Sequence, residues 1–147
     1  MMLLTVAVVF HGLAVVVWVG GMFFAHMALR PAAALLPVEV RLPLLVRVFE
    51  RFFPWVWVSV GIILATGYGA FFSLFGSPSV YAMIALGNLM VVLFVYLWFF
   101  PYRRLRIALA AGDLQSAGLQ QAYIRRIILT NLILGLITTS VAMAGHW

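Results

Sequence analysis

The sequence contains no cysteine, which excludes disulfides, iron–sulfur clusters and thiolate-bound metals. It contains no lysine either, so all nine basic residues are arginines. Acidic residues are scarcer still: Glu39, Glu50 and Asp113 are the only three. Charged residues make up 8% of the chain and hydrophobic residues 67%. A water-soluble domain covers its surface with about 25% charged residues, so the expected solvent and first partner is the lipid bilayer. No acidic side chain falls within an apolar run, which argues against a carboxylate proton relay or carboxylate-held metal inside one protomer. The motifs G-x-x-x-x-G-K-[ST], G-x-S-x-G, H-E-x-x-H and C-x-x-C are also absent, and no catalytic residue set is expected. The net charge of +6 would suit nucleic acid. The arginines, however, sit in two short clusters beside apolar runs, the pattern of topology signals and lipid-headgroup contact, so no nucleic-acid partner is expected.

What is present is four apolar runs of about 20 residues, the length that spans a bilayer. They cover about Leu3–Leu29, Phe52–Phe75, Val80–Phe100 and Ile127–Ala144. The predicted fold class is all-α: an integral-membrane four-helix bundle forming one transmembrane domain over residues 1–147. Gly76-Ser77-Pro78-Ser79 reads as a tight turn, with Ser79 as N-cap of the third span. Arg30, Arg41, Arg47 and Arg51 lie between spans one and two; Arg103, Arg104, Arg106, Arg125 and Arg126 lie between spans three and four. The positive-inside rule then puts both arginine loops in the cytoplasm and both termini outside, in a bacterial inner membrane. The first run lacks a basic n-region and exceeds a signal h-region, so it is expected to remain as a span. Leu44–Phe52 has an apolar side and a charged side, as an interfacial helix would. Residues 102–111 are expected to carry helix three into the cytoplasm. Gly112 should end it, and Asp113 should cap the helix that continues into span four. Trp55, Trp57, Tyr81, Trp98, Tyr102 and Trp147 fall near span ends, where amphipathic rings settle.

Small residues recur at helical spacing: Gly12, Gly20, Gly21 and Ala25 in span one, Gly61, Ala65 and Gly69 in span two, and Asn131, Gly135 and Ala142 in span four. Such stripes let helix backbones approach, within the bundle or across a homodimer seam. The ionisable groups inside spans are His11 and His26, both on helix one, with Asn88 and Asn131 as neutral polar groups. Steps of 100° put His11, Val15, Trp18, Met22, Ala25 and His26 on one helix face. The two histidines are nevertheless about 22 Å apart along the axis, too far to share one metal ion. The outer half collects His11, Met83, Met90, Met143, His146 and the N-terminal methionines. Imidazole and thioether ligands without thiolate suit Cu(I) or haem iron. His11 is therefore the candidate cofactor ligand, and His11, Met83, Met90, Met143 and His146 form the candidate metal set. Core filling is the competing role for the methionines, and an interhelical hydrogen bond for His11. Its partners in one protomer are expected among Met83, Met90, Asn88 and His146.

The string His11, Trp18-Val19-Gly20-Gly21-Met22-Phe23 and Arg30-Pro31 resembles the first helix of small CopD-type (copper-resistance protein D) membrane proteins. The resemblance continues through Arg51-Phe52-Phe53-Pro54-Trp55, Ala65-Thr66-Gly67-Tyr68, Pro101-Tyr102-Arg103-Arg104-Leu105-Arg106, Ala111-Gly112-Asp113 and Asn131-Leu132-Ile133-Leu134-Gly135-Leu136. It implies a role in copper uptake or tolerance, with copper at an outward His/Met site. A weaker resemblance links the helix count and the first-helix histidine to HemJ-type four-helix proteins, a family that relies on a lysine this chain does not have. Two alternatives accompany the copper reading. One is a b-type haem protein, redox or haem-handling, with His11 as axial ligand. The other is a non-catalytic subunit or scaffold of a larger membrane complex.

Overall fold

A computed structural model describes residues 1–71 and 77–145, with only the backbone at 70 and 71. Among the described residues there is no strand. Four long helices make up the chain: α1 (Met2–Ala33), α2 (Val38–Phe71), α3 (Pro78–Ala110) and α4 (Leu114–Ala144). Each is long and apolar enough to cross a membrane. The all-α four-helix architecture of a multi-pass membrane protein is therefore what these residues build. At 31 to 34 residues the helices reach about 50 Å, well beyond the ~30 Å hydrocarbon layer.

That extra length carries the helices past the expected span ends. α1 does not stop before Arg30-Pro31 but runs on to Ala33. Its last turns widen into a π-helix over Ala25–Leu29. α3 does the same over Trp98–Tyr102, around Pro101. A proline ring in a helix removes one N–H and collides with the carbonyl four residues back. A wider turn gives the ring room, so the helix passes the proline without ending. Leu44–Phe52, expected as an interfacial helix, feeds span two without a break in the first half of α2, which holds Pro43 and Pro54 in its interior.

Other local signals behave as chemistry dictates. Gly112 ends α3 with a φ of +72°, a left-handed conformation that costs glycine little. Asp113 then caps α4 by accepting a hydrogen bond from the Ser116 N–H at 3.0 Å. At the start of α3, Ser77 rather than Ser79 holds the N-cap position. Its backbone is extended, its side chain makes no capping bond, and Pro78 fills the first turn. Proline is pre-set for that position, which shifts the boundary two residues upstream. Gly76, the first residue of the expected turn, lies outside the described residues.

α1 packs chiefly on α2 and α3 chiefly on α4; the two antiparallel pairs meet mainly where α4 touches α1. The expected inner face of α1 is the observed one: Ala14, Trp18 and Met22 are buried, and His11, Val15, Ala25 and His26 are half-buried. Packing is uneven along the bundle. Toward the arginine-bearing end a core forms around Phe53, which is 2% exposed. Phe53 stacks on Phe49 at 4.9 Å and meets Tyr102, Phe94 and Trp98 edge-on at 4.9, 5.6 and 5.9 Å. Trp57 adds an edge contact to Phe94 at 5.0 Å. Offset and edge-to-face pairs of this kind are the favoured aromatic geometries. Trp57, Trp98 and Tyr102 thus take part in an internal cluster. Trp55 and Tyr81 are both exposed, and Trp147 lies outside the described residues. Toward the end carrying the termini, at positions 1–13, 61–69, 77–89 and 133–145, only Val80 and Gly135 are buried.

Candidate functional site

His11 sits two turns above the buried Trp18, where α1 leans on α2. Gly67 of α2 borders the contact: a Cβ there would lie at ordinary van der Waals distance, 3.5 Å from His11 Cε1. One residue earlier, Thr66 places its hydroxyl oxygen 2.8 Å from His11 Nδ1. The direction of that bond follows from the neighbours. The Thr66 hydroxyl has one hydrogen, and it donates to the Ile62 carbonyl at 2.6 Å. Its oxygen is then the acceptor, so His11 Nδ1–H is the donor. In a neutral imidazole this leaves Nε2 unprotonated, with its lone pair available. A histidine whose Nδ1–H is held by an oxygen while Nε2 remains free is the arrangement found in ligating histidines.

The partner of His11 is therefore Thr66, not one of the expected candidates. Asn88 accepts a hydrogen bond from the Tyr68 hydroxyl at 3.0 Å and donates to the Ile84 carbonyl at 2.8 Å, tying α3 to α2. The Met90 methyl lies against Gly135 and Val19: a Cβ at Gly135 would meet Val19 at 2.8 Å and Met90 at 3.1 Å. Val19 is eight residues below His11, or about 12 Å along α1. Met90 thus fills the α1–α3–α4 junction, as core methionines do, and is not brought to His11. Met83 is half-buried on α3, and Met143 is 84% exposed near the end of α4. His146 lies outside the described residues. No three His, Asp or Glu side chains gather as a metal site among the described residues.

Thr66 escaped the sequence reading because a hydroxyl inside a span reads as bonded to its own helix, which it is. The signal that could have found it is the acceptor oxygen that a threonine brings into span two. The span-two stripe behaves differently from expectation. Gly61, Ala65 and Gly69 are all exposed, and a Cβ at either glycine would meet nothing within 4 Å. This stripe does not pack inside the bundle. Close packing falls instead on Gly21, directly beneath the Phe52 ring, and on Gly135.

At the other end of α1, His26 lines a cleft of about 30 Å³ with Arg30, Gln121 and Arg125. The lowered pKa of Asp113 reports its cap: the bond from Ser116 favours the carboxylate. Glu50 and Arg106 form an exposed ion pair at 3.8 Å, of the kind that contributes little to stability. Comparison with protein-family models, with curated proteins and with solved structures finds no match to this chain.

Proposed function

We propose that this chain is a CopD-like protein of a bacterial inner membrane that holds b-type haem through His11 Nε2. The observation that carries the reading is the His11–Thr66–Ile62 relay, which fixes the tautomer a ligand needs. The donor set favours iron over copper. Haem brings four nitrogens of its own and asks the protein for one or two axial ligands. A protein-held Cu(I) takes its donors from side chains, and His11 has no thioether or second imidazole shown beside it. His11 would hold the iron, Thr66 would orient the ring, and the group would supply one-electron redox chemistry. The arginine distribution supports cytoplasmic arginine loops and external termini. The exposed stripe Gly61, Ala65, Gly69 supports a second copy packing on α2, and a larger membrane complex is the other candidate partner.

The copper reading keeps one specific support. Met1, Met2 and Met143 are all strongly exposed and lie at the same end of the bundle, where flexible thioethers suit Cu(I) capture. Spectroscopy and metal analysis of mildly solubilised protein separate the readings. Haem gives a Soret band that His11→Ala abolishes and His26→Ala leaves intact. A wild-type protein without a Soret band, holding copper that Met143→Leu removes, would overturn the haem assignment in favour of copper. A colourless, metal-free protein with a stoichiometric partner would leave the scaffold reading.

A further inference from the structure

The cleft that holds His26 lies about 22 Å along α1 from His11 and shares no residue with the His11 contact. His26 and Arg30 reach it from the π turn of α1 and the residue after it, and Arg125 meets them from α4. Leu45, Phe49 and Ile128 form an apolar wall beside these cations, and no acidic side chain is in the lining. The Arg30 and Arg125 charges repel one another. Among the described residues neither has an ion-pair partner. Glu50, next to the cleft-lining Phe49, pairs with Arg106 instead, and Asp113 is engaged in its helix cap. Helix packing thus brings two like charges together from two helices with no acid between them. An anion offsets such a juxtaposition. The level along the helix matters as well. Phe23, Phe24 and Met27, just before Arg30, are each more than half exposed, so Arg30 stands where lipid-facing surface gives way to headgroups.

We infer that this cleft binds the phosphate of an anionic glycerophospholipid, with Arg30 and Arg125 holding its oxygens from two helices. Guanidinium forks match phosphate oxygens bidentately, and the His26 ring brings an N–H donor. At about 30 Å³ the cleft is a notch the size of one water's share of liquid. A phosphate oxygen enters it, while the glycerol and acyl chains stay outside along α1. The apolar wall favours a lipid over a soluble anion, because the glycerol–acyl junction covers it and a free phosphate does not. A zwitterionic headgroup brings an ammonium that the same arginines repel. Basic pockets between spanning helices are a recognised form of headgroup site.

The test uses the intact protein, stripped of lipid in a neutral detergent. It is titrated with short-chain phosphatidylglycerol, short-chain phosphatidylcholine and glycerol phosphate, and native mass spectrometry counts the adducts. The expected result is saturable binding of a single phosphatidylglycerol, about tenfold tighter than phosphatidylcholine or glycerol phosphate. Arg30→Gln and Arg125→Gln should each weaken it about fivefold. Arg126→Gln removes the same charge from an exposed residue outside the cleft and should leave it unchanged. Arg30→Lys and Arg125→Lys keep the charge that orients the chain but lose the fork. They should also weaken binding, and they decide the matter if the glutamine variants fail to insert. Equal affinity for the two lipids, an equal loss in Arg126→Gln, or binding untouched by the folded cleft variants would overturn the proposal. Glycerol phosphate bound as tightly as phosphatidylglycerol would overturn the lipid in favour of a soluble phosphate ester.

Discussion

The two halves of the bundle are built from the same apolar alphabet yet packed in opposite ways. Near the arginines, Leu42, Phe53, Val56, Leu97, Leu105 and Ile124 are at most 2% exposed, and rings interlock across α2 and α3. Near the termini, Leu3, Val8, Phe10 and Met143 are each more than half exposed. Lipid tails are as apolar as leucine, so nothing but shape fit and hydrogen bonds draws helices together in a membrane. Where aromatic rings supply that fit, the half closes. Where the side chains are aliphatic and Gly12, Gly61 and Gly69 face outward, it stays open. Two polar contacts that hold α2 to its neighbours in the open half are His11–Thr66 and Tyr68–Asn88. A closed scaffold thus carries a loosely packed site.

The contrast breaks most visibly at its aromatic centre. Phe53→Ala should cost about 3–5 kcal/mol, the range for truncating a fully packed phenylalanine. Phe10→Ala, in the open half, should stay within about 0.5 kcal/mol of wild type. Reversible unfolding in mixed detergent micelles measures both, and equal losses would abolish the distinction between the halves.

Glycine substitutions sharpen the boundary. Gly135→Ala drives a methyl group into Val19, whose β-branched side chain has little freedom to move, and should cost about 1–3 kcal/mol. Gly12→Ala meets open space and should be neutral or slightly stabilising, since alanine is the better helix former. A matching loss at Gly12, seen in the same unfolding assay, would mean that the open half is covered by a second copy or a partner.

Thr66→Val tests the site without touching the core. The interhelical hydrogen bond it removes is worth about 0.6 kcal/mol on average, so stability should barely change. Losing the group that orients the ligating ring should instead weaken cofactor retention about 10- to 100-fold. Haem content after gel filtration reads this out. Unchanged occupancy would reduce Thr66 to a packing residue.

The smallest effect belongs to Asp113. Its pKa in the fold lies below the ordinary carboxylate value, so its stabilisation is present above the unfolded pKa and is lost as pH falls through the folded one. Hydrogen exchange at the start of α4 should accelerate below about pH 4, and Asp113→Asn, which keeps the capping oxygen, should remove that dependence. An unchanged pH profile in the variant would place the titration elsewhere.

How much of this was legible in the residues follows from the range of each force. Span number and the inner face of α1 are written in local periodicity, and the cap at Asp113 in three consecutive residues. The passage of α1 beyond Arg30-Pro31 was not legible, because proline rules assume α-helical spacing and the chain answers with a π turn. The roles of Trp57, Trp98 and Tyr102 were hidden for another reason. An aromatic residue near a span end looks the same whether it faces headgroups or a neighbouring helix. Helix pairing decides that, and it lies beyond sequence neighbours. His11 was visible as an ionisable group in hydrocarbon, whereas its partner depended on which helix faced it at that depth.

Thr66 and Val38 ride on one uninterrupted helix, some 28 residues or about 42 Å apart. Its midpoint is gripped by Phe53 and Val56, both almost wholly buried, on either side of the rung that Pro54 removes. A rod held in this way would pivot, if it moved as one body, about the aromatic cluster. A sideways pull on Thr66 of about 1 Å, roughly 18 Å from that pivot, would return a swing of comparable size at the far tip beyond the hydrocarbon layer. A rigid α2 would therefore tie the position of Thr66 beside His11 to that of the helix start at Val38.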